Sequence, residues 1–354
     1  MRLKETQAGF SVVELMVALL LGLFLMGGVT GMYVSGKQTY RMTDNLSRLQ
    51  ESMRFSLDFI SQDIRMAGYT PCRVTPLVNN VINGSGASWF LDYFNFGIRG
   101  FEGGVDVIPV ASAATNSDAV VIMKASNFNS TLDFSGVTLG HDPAANLFTL
   151  SNGFSNSDFE RGRIAIACDP RQAAMFQILD ANAGTQTISY GVSTNIIPGN
   201  STTSIGTFGE DAIVASYKPV IYFIRQSTHN PNVNSLWRSN LEAVGPPAGI
   251  NTAQMGAEEL LEGIESMQIL YGEDASATKD QIVDRFVTAN NVTDWQDVVS
   301  VRMGILMATG EEVTAQVDTN SYNIAGTMVA APGTDKKLRY AVNTTINIRN
   351  RIQE

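Results

Sequence analysis

The sequence predicts an α+β protein in which one long N-terminal helix packs on a mostly antiparallel β-sheet head. Two observations carry this prediction. Residues 10–66 contain no proline and have a continuous helical pattern, and the strand-like segments are concentrated after Gly162. A helix of that length extends for ~80 Å at 1.5 Å per residue. A helix followed by a run of strands is the pattern of an α+β domain rather than of alternating βαβ units.

The first half of the predicted helix is apolar on all sides. Residues 15–34 supply about 20 mostly apolar positions, enough to span a bilayer, and Arg2 and Lys4 precede them. Glu14 is the exception, because a carboxylate at the centre of a membrane helix costs roughly 2.5–3.5 kcal/mol. We therefore expect Glu14 to have a partner.

The second half of the helix is amphipathic. Apolar residues recur at steps of three and four with charged and amide residues between them, which indicates a helix with one buried face. We expect this helix to end near Gly68, because Pro71 follows shortly after. The predicted buried stripe consists of Leu46, Leu49, Met53, Leu57, Phe59, Ile60 and Ile64.

The rest of the chain is predicted to form the β-rich head. Residues 69–162 are rich in turn-forming residues. An aromatic cluster in this region is more typical of a packed subcore than of an exposed apolar interaction surface. Segment 258–271 is expected to change from a turn or short helix into a strand, with Gly263 and Gly272 bounding that strand. The aromatic cluster is Trp89, Phe90, Tyr93, Phe94, Phe96 and Phe101. The predicted strands are 105–110, 119–124, 163–167, 175–179, 187–190, 213–225 (one strand or a pair), 235–238, 298–307 and 338–348.

Net charge and the distribution of reactive side chains argue against nucleic-acid binding and against catalysis. The net charge is −10, so we do not expect this head to bind nucleic acid directly. His141 and His229 lie in polar contexts typical of surface loops, and no Ser/His/Asp or Cys/His set stands out. Glu273 and Asp274 could contribute to a metal site, but an adjacent acidic pair is more typical of a solvated loop. The sequence therefore predicts a chain that is not an enzyme, and it singles out no cofactor and no metal ligand.

The two cysteines, Cys72 and Cys168, both follow the apolar segment. If the head is exported, a disulfide is the natural interpretation, and it would stabilise the head by up to ~4–5 kcal/mol in the chain-entropy model. The alternative is two buried free thiols. A zinc site is disfavoured, because no histidine or further cysteine lies at ligand spacing.

The N-terminus is open to three interpretations. A secretory signal needs a shorter apolar run and a small-residue cleavage site, and a plain anchor leaves Glu14 unexplained. The third interpretation places a cleavage site before the apolar run. The segment GFSVVE at residues 9–14 resembles the type III signal of type IV pilins and pseudopilins. This resemblance implies that prepilin peptidase cuts after Gly9, that Phe10 becomes the N-methylated first residue, and that Glu14 docks on a neighbouring subunit's N-terminal amine.

A second resemblance lies near the C-terminus. Segments 260–272, 292–310 and 338–351 are similar to the C-terminal half of PilW-type minor pilins, whereas residues 73–210 resemble no family considered. Trp295 is expected in the core of this part. The resemblances and patterns divide the chain into a leader (1–9), a transmembrane or filament-core half of the helix (10–34), an amphipathic half (35–68), a variable part of the head (69–210) and a C-terminal β-rich part (211–354).

The family resemblance implies a minor pilin that acts in priming or assembly of a type IV pilus, and hence in twitching motility, adhesion or DNA uptake. Its expected partners are other minor pilins, the major pilin, prepilin peptidase, the inner-membrane assembly platform and a pilus-tip adhesin. The expected location is the bacterial inner membrane, single-pass with a periplasmic head, and the pilus after assembly. The alternatives are a larger pseudopilin of a type II secretion system and a membrane-anchored adhesin or enzyme.

Overall fold

A single long helix precedes a head built of strands. The computed structural model describes residues 11–71, 78–84, 89–91, 97–125, 135–151, 154, 159–210, 212–244 and 251–351. Helix α1, Val12–Arg65, is 54 residues long, and Gly68 at φ +72° turns the chain toward the head. The predicted helix and its end near Gly68 are confirmed.

The strands within the described residues are β1 (Val78–Asn80), β2 (Ile98–Phe101), β3 (Ala119–Ile122), β4 (Ser135–Asp142), β5 (Leu147–Leu150), β6 (Ile164–Asp169), β7 (Gln172–Asn182), β8 (Thr187–Tyr190), β9 (Ile196–Ile197), β10 (Ile213–Ser216), β11 (Val220–Gln226), β12 (Asn234–Val244), β13 (Asn251–Glu262), β14 (Ile264–Glu273), β15 (Arg285–Val287), β16 (Val298–Ala308), β17 (Ser321–Ile324), β18 (Thr327–Ala330) and β19 (Arg339–Asn347). Single 3-10 turns lie at Trp89–Leu91, Ala289–Asn291, Trp295–Asp297 and Arg349–Arg351.

These strands form three main sheets and one hairpin. The first sheet has the order β1-β7-β6-β10-β4-β5-β8, and β8 pairs back with β7, which closes six of its strands into a barrel. The second sheet is β2-β3-β11-β12-β13-β9, the third is β15-β14-β16-β19, and β17 pairs with β18. Among the described pairings only β1–β7 and β9–β13 are parallel. The predicted α+β class with a mostly antiparallel head is confirmed.

The second sheet lies in the middle of the head, between two hydrophobic clusters. Along β11, Val220, Tyr222 and Ile224 belong to the cluster shared with α1 and the third sheet. Ile221 and Phe223 belong to the cluster shared with the barrel. Such alternation is the period of two of a strand that is buried on both faces.

The barrel encloses a hydrophobic cluster of its own, which is dominated by aromatic rings. Phe148, Phe176 and Tyr190 are fully buried there, with ring centroids 5.3–5.7 Å apart. Separations in this range are typical of packed aromatic pairs. The turn-rich middle of the chain therefore has its own packed core.

Most strand predictions are confirmed, and two differ from the structure. Residues 105–110 form turns instead of a strand, because the amides of Val105 and Asp106 both donate to the carbonyl of Glu102. The predicted turn or short helix before residue 264 is instead the strand β13, which joins β14 directly at Gly263 with φ +86°. Gly272 is the penultimate residue of β14 instead of a boundary.

Candidate assembly surface of the N-terminal helix

A capping box starts α1 and gives Glu14 a partner within its own chain. The Ser11 hydroxyl accepts hydrogen bonds from the amides of Val13 (3.2 Å) and Glu14 (3.4 Å). In return, the Glu14 carboxylate accepts from the Ser11 amide at 3.0 Å. This reciprocal arrangement satisfies backbone donors that a helix start otherwise leaves unpaired. The carboxylate is exposed, so it can accept further hydrogen bonds.

The predicted cleavage and methylation residues, Gly9 and Phe10, lie outside the described residues. Cleavage, methylation and docking through Glu14 therefore stay predictions.

From Val12 to Val34, α1 presents apolar side chains to its surroundings on every side. Leu23 is 72% exposed and Phe24 is 75% exposed, and their neighbours along this half are similar. Within the described part of the chain, α1 is the one helix that is long and apolar enough to cross a membrane, by length and composition. An apolar surface of this extent marks a region that lipid or other protein covers.

The second half of α1 buries one face against the head. Leu49, Met53, Ile60 and Ile64 are buried in the cluster shared with the second and third sheets, and Leu57 packs against it. The predicted amphipathic stripe is confirmed at these positions. Leu46 and Phe59, at the margin of the stripe, are half-buried. The first half of the helix therefore has an apolar surface that something else must cover, whereas the second half has one face covered by the head.

A polar joint fixes the end of α1 to the head. Asp63 accepts hydrogen bonds from Lys124 Nζ and from the Tyr222 hydroxyl, both at 2.6 Å. Burial is the main cause that raises the pKa of Tyr222 well above its usual range, and the nearby Asp63 carboxylate adds to it. The Tyr222 hydroxyl therefore stays protonated and donates its hydrogen to Asp63. After the helix, the Gly68 amide donates to the Met123 carbonyl at 2.9 Å. These contacts set both the position and the rotation of the helix.

Of the two cysteines in the predicted disulfide, only Cys168 lies within the described residues. Cys168 is buried on β6, in the cluster between the barrel and the second sheet. Cys72 lies outside the described residues, and the disulfide stays a prediction.

Several other predictions about individual side chains are now decided. His141 is wrong as a surface-loop residue: it lies on β4, and its Nε2 is 2.7 Å from the Tyr190 hydroxyl. Burial lowers the pKa of His141. The side chain of His229 is 80% exposed, as expected. Glu273 and Asp274 are buried, contrary to the prediction of a solvated loop, because each accepts hydrogen bonds from the loop between β14 and β16.

Two predictions about aromatic residues are tested in part. Trp295 packs against the cluster shared with α1, in edge contact with Tyr271 at 4.8 Å between ring centroids. Of the predicted aromatic cluster, Phe101 is buried and Phe90 packs against the second cluster, which favours a packed subcore. Tyr93, Phe94 and Phe96 lie outside the described residues.

Comparison with protein families identifies the C-terminal part of the head. Residues 221–350 match the family model PilW, described as "Type IV Pilus-assembly protein W". This segment of the chain matches the PilW family. The matched segment runs from β11 to β19 and covers residues 260–272, 292–310 and 338–350 of the segments on which the sequence resemblance depends, so the PilW resemblance is confirmed. No curated protein and no solved structure matched the chain.

The PilW segment supplies much of the surface that receives α1. Tyr222 of the polar joint lies in it, and so do Tyr340 and Val342 of β19, which pack against the cluster shared with the helix. The barrel strands lie outside the matched segment. The surface that holds the helix therefore belongs largely to the matched segment, and the barrel lies outside it.

Buried polar contacts of Arg339 and Asp118 connect parts of the PilW segment with one another and with the chain before it. The Arg339 guanidinium is fully buried and binds Glu265 (2.7 Å), Asp335 (2.7 Å) and Asp318 (3.2 Å). Asp118, just before β3, accepts from the Ile269 amide at 2.7 Å and so ties the preceding chain to β14. Arg339 therefore holds together parts of the chain that are distant in sequence.

Sequence reasoning missed two features of this surface. The capping box was visible, because Ser11 and Glu14 stand three residues apart directly before an apolar run. The role of Asp63 had no sequence signal, because Tyr222 is 159 residues away.

Proposed function

We propose that this chain is a minor pilin of a type IV pilus, a structural subunit that acts in assembly and not as an enzyme. One observation carries the proposal. The exposed apolar half of α1 continues without a break into the half that the PilW segment buries. In a subunit of this form, the head is attached to one half of a long helix. The other half needs lipid or neighbouring helices to cover its apolar surface.

We further propose that prepilin peptidase removes residues 1–9 and that Phe10 is then N-methylated. The GFSVVE segment supports this step, since Phe10 directly follows the proposed cut and Glu14 is the fifth residue after it. Mass spectrometry of the chain isolated from the envelope tests it. The expected N-terminal peptide begins with N-methylated Phe10, and a mature chain that retains residues 1–9 contradicts the proposal.

In the proposed assembly step, Glu14 pairs with the positive N-terminal amine of a neighbouring subunit. In a low-dielectric surrounding such an attraction is strong, and an unpaired charge is costly. The Ser11 amide uses one acceptor site of the carboxylate, and a carboxylate has about four such sites, so it can accept the neighbour's amine as well.

Two substitutions separate the charge of Glu14 from its capping role. Glu14→Gln keeps a capping-box side chain and removes the charge, whereas Glu14→Ala removes both. If the charge docks the subunit, both variants fail to enter the pilus, and Glu51→Gln, an exposed acid on the same helix, enters normally. Normal incorporation of Glu14→Gln contradicts charge-based docking.

The proposed location is the inner membrane with the head in the periplasm, and the pilus after assembly. The proposed partners are other minor pilins, the major pilin, the assembly platform and a tip adhesin. The barrel and the PilW segment together make a bulky head, which is difficult to repeat along a close-packed fibre. This supports a place at the start or cap of the filament. An oxidising periplasm would also favour the Cys72–Cys168 disulfide.

Deletion of the chain followed by electron microscopy of surface pili tests the assignment as a whole. The expected result is a marked loss of pili that the wild-type chain restores. Pili in normal number together with lost protein secretion would instead identify a type II secretion pseudopilin. Normal pili and normal secretion with lost surface attachment would identify a membrane-anchored adhesin.

A further inference from the structure

Three side chains with metal-binding atoms meet on the head, at one end of the β12–β13 pair. His229 lies in the turn between β11 and β12, and Glu259 and Glu262 lie on β13. His229 Nδ1 is 3.5 Å from Glu259 Oε2 and 3.8 Å from Glu262 Oε1. All three potential ligand atoms lie within 4.8 Å of one another.

A β-bulge brings the two carboxylates to the same face of the strand. Residues three apart on a regular strand point to opposite faces. Here Leu236 pairs with Leu261 and Trp237 pairs with Glu259, so β13 has one extra residue at this point. The bulge offsets the alternation and places Glu259 and Glu262 together. Bulges are over-represented beside functional sites, where they redirect a side chain.

Hydroxyl and amide donors hold both carboxylates in place. The buried Ser235 hydroxyl donates to Glu259 Oε1 at 2.7 Å, and the Thr228 amide donates to Glu259 Oε2 at 3.0 Å. The Ser227 hydroxyl donates to Glu262 Oε1 at 2.8 Å. Hydrogen bonds that orient the ligating side chains are the usual support of a metal site.

The same Ser227 hydroxyl also shapes the turn that carries the histidine. It accepts hydrogen bonds from the amides of His229 (3.0 Å) and Asn230 (3.2 Å), while the Ser227 amide donates to the Val233 carbonyl at 2.9 Å. One residue therefore positions the imidazole and one of the two carboxylates at once.

Charge and access favour a cation at this point. Glu259 and Glu262 bring two acidic groups to the same place. The Glu262 side chain is 47% exposed and the His229 side chain 80% exposed, so a metal ion can reach both from solvent.

We propose that His229, Glu259 and Glu262 bind one divalent transition-metal ion of the Zn²⁺ class, with its remaining coordination positions open to solvent. Zinc bonds to nitrogen and oxygen of roughly 2.0–2.2 Å separate the ligand atoms of a tetrahedral site by roughly 3.4 Å. The separations of 3.5 and 3.8 Å in this cluster need only a small closure. A simple ion pair would explain why one carboxylate lies beside His229. It would not explain the β-bulge that brings Glu259 and Glu262 to the same face of β13.

Zinc titration of the full chain in detergent tests the proposal. The chain is purified without a polyhistidine tag, stripped with a chelator and titrated with Zn²⁺ by isothermal calorimetry. The expected result is one bound Zn²⁺ per chain. His229→Ala and Glu262→Gln are each expected to weaken binding by at least about tenfold. Both residues are partly or largely exposed, so the variants should fold.

The matched control is Glu258→Gln. Glu258 is the neighbouring acid on β13 and is bound to Arg238 rather than to the cluster. It should bind Zn²⁺ as the wild type does. Absence of binding at Zn²⁺ concentrations on the order of 100 μM overturns the proposal. So does binding that is unchanged in both variants, or that falls equally in Glu258→Gln.

Discussion

The joint between α1 and the head depends on Asp63, and replacing this residue tests that dependence. The Asp63 side chain is 14% exposed and that of Lys124 is 20% exposed, so water screens their ion pair only in part. The Tyr222 hydroxyl, on a fully buried side chain, donates to the other carboxylate oxygen. Asp63→Ala would leave a partly buried ammonium and a buried hydroxyl without this partner.

The expected magnitude follows from those two losses. A hydrogen bond to a charged group contributes about 1.5–3 kcal/mol, and a buried donor left unsatisfied costs about 1–3 kcal/mol. We therefore expect Asp63→Ala to lower the free energy of unfolding by about 3–5 kcal/mol, near the range for breaking a buried ion pair. Asp63→Asn keeps one acceptor oxygen and should lower it by about 1–3 kcal/mol.

Urea unfolding of the full chain in detergent, followed by tryptophan fluorescence, measures these changes. The three tryptophans, Trp89, Trp237 and Trp295, all belong to the head, so the signal reports its unfolding. Asp58→Asn is the control, because Asp58 is an exposed acid on the same helix, and it should change stability by less than about 0.5 kcal/mol. If Asp63→Ala changes stability no more than Asp58→Asn, the joint does not hold the helix as argued.

Three further predictions concern the head, each measured by the same unfolding assay. Gly263→Ala should destabilise the head by about 1–3 kcal/mol, because the φ of Gly263 is +86° and a Cβ would lie 2.7 Å from the Ala308 carbonyl oxygen. The control is Gly310→Ala, because a Cβ at Gly310 would meet open space. Equal stability of the two variants would refute the strain at Gly263. Burial raises the pKa of Asp118 from 3.8 to about 7, so its stabilising contribution is complete below 3.8 and lost as pH rises through 7. The wild type should therefore lose more stability than Asp118→Asn between about pH 5 and about pH 8, and parallel pH profiles would contradict this. Arg339→Met removes the cation shared by three carboxylates and should destabilise by about 3–5 kcal/mol, whereas an unchanged midpoint would show that the cluster is not stabilising.

Elements with a strong local pattern were predictable from the sequence. The helix followed from the absence of proline and from a stripe with a period of 3.6 residues, and β8 was predicted with the bounds it has. Strands β16 and β19 followed from their period of two. The segment before Gly263 was less predictable, because its leucines and glutamates suit a helix in isolation and only pairing with β12 makes them a strand.

The candidate sites divide in the same way. Glu14 could be singled out from the sequence, because an acid inside an apolar run is unusual wherever it occurs. Glu259 and Glu262 could not be singled out, because their meeting depends on a bulge that forms only when β13 pairs with β12. His141 was misjudged for a similar reason, since its polar neighbours in sequence gave no sign of Tyr190 across the barrel.

The sequence by itself determined the long helix, its change from an all-apolar to a one-faced surface, and the family of the C-terminal segment. These properties depend on the spacing of residues along a continuous stretch of chain. Only the tertiary structure decided that the middle region closes into a barrel, that Asp63 joins the helix to Tyr222, and that Arg339 binds three acids. Each of these depends on contacts between residues far apart in the chain, and local spacing does not specify which distant residues will meet.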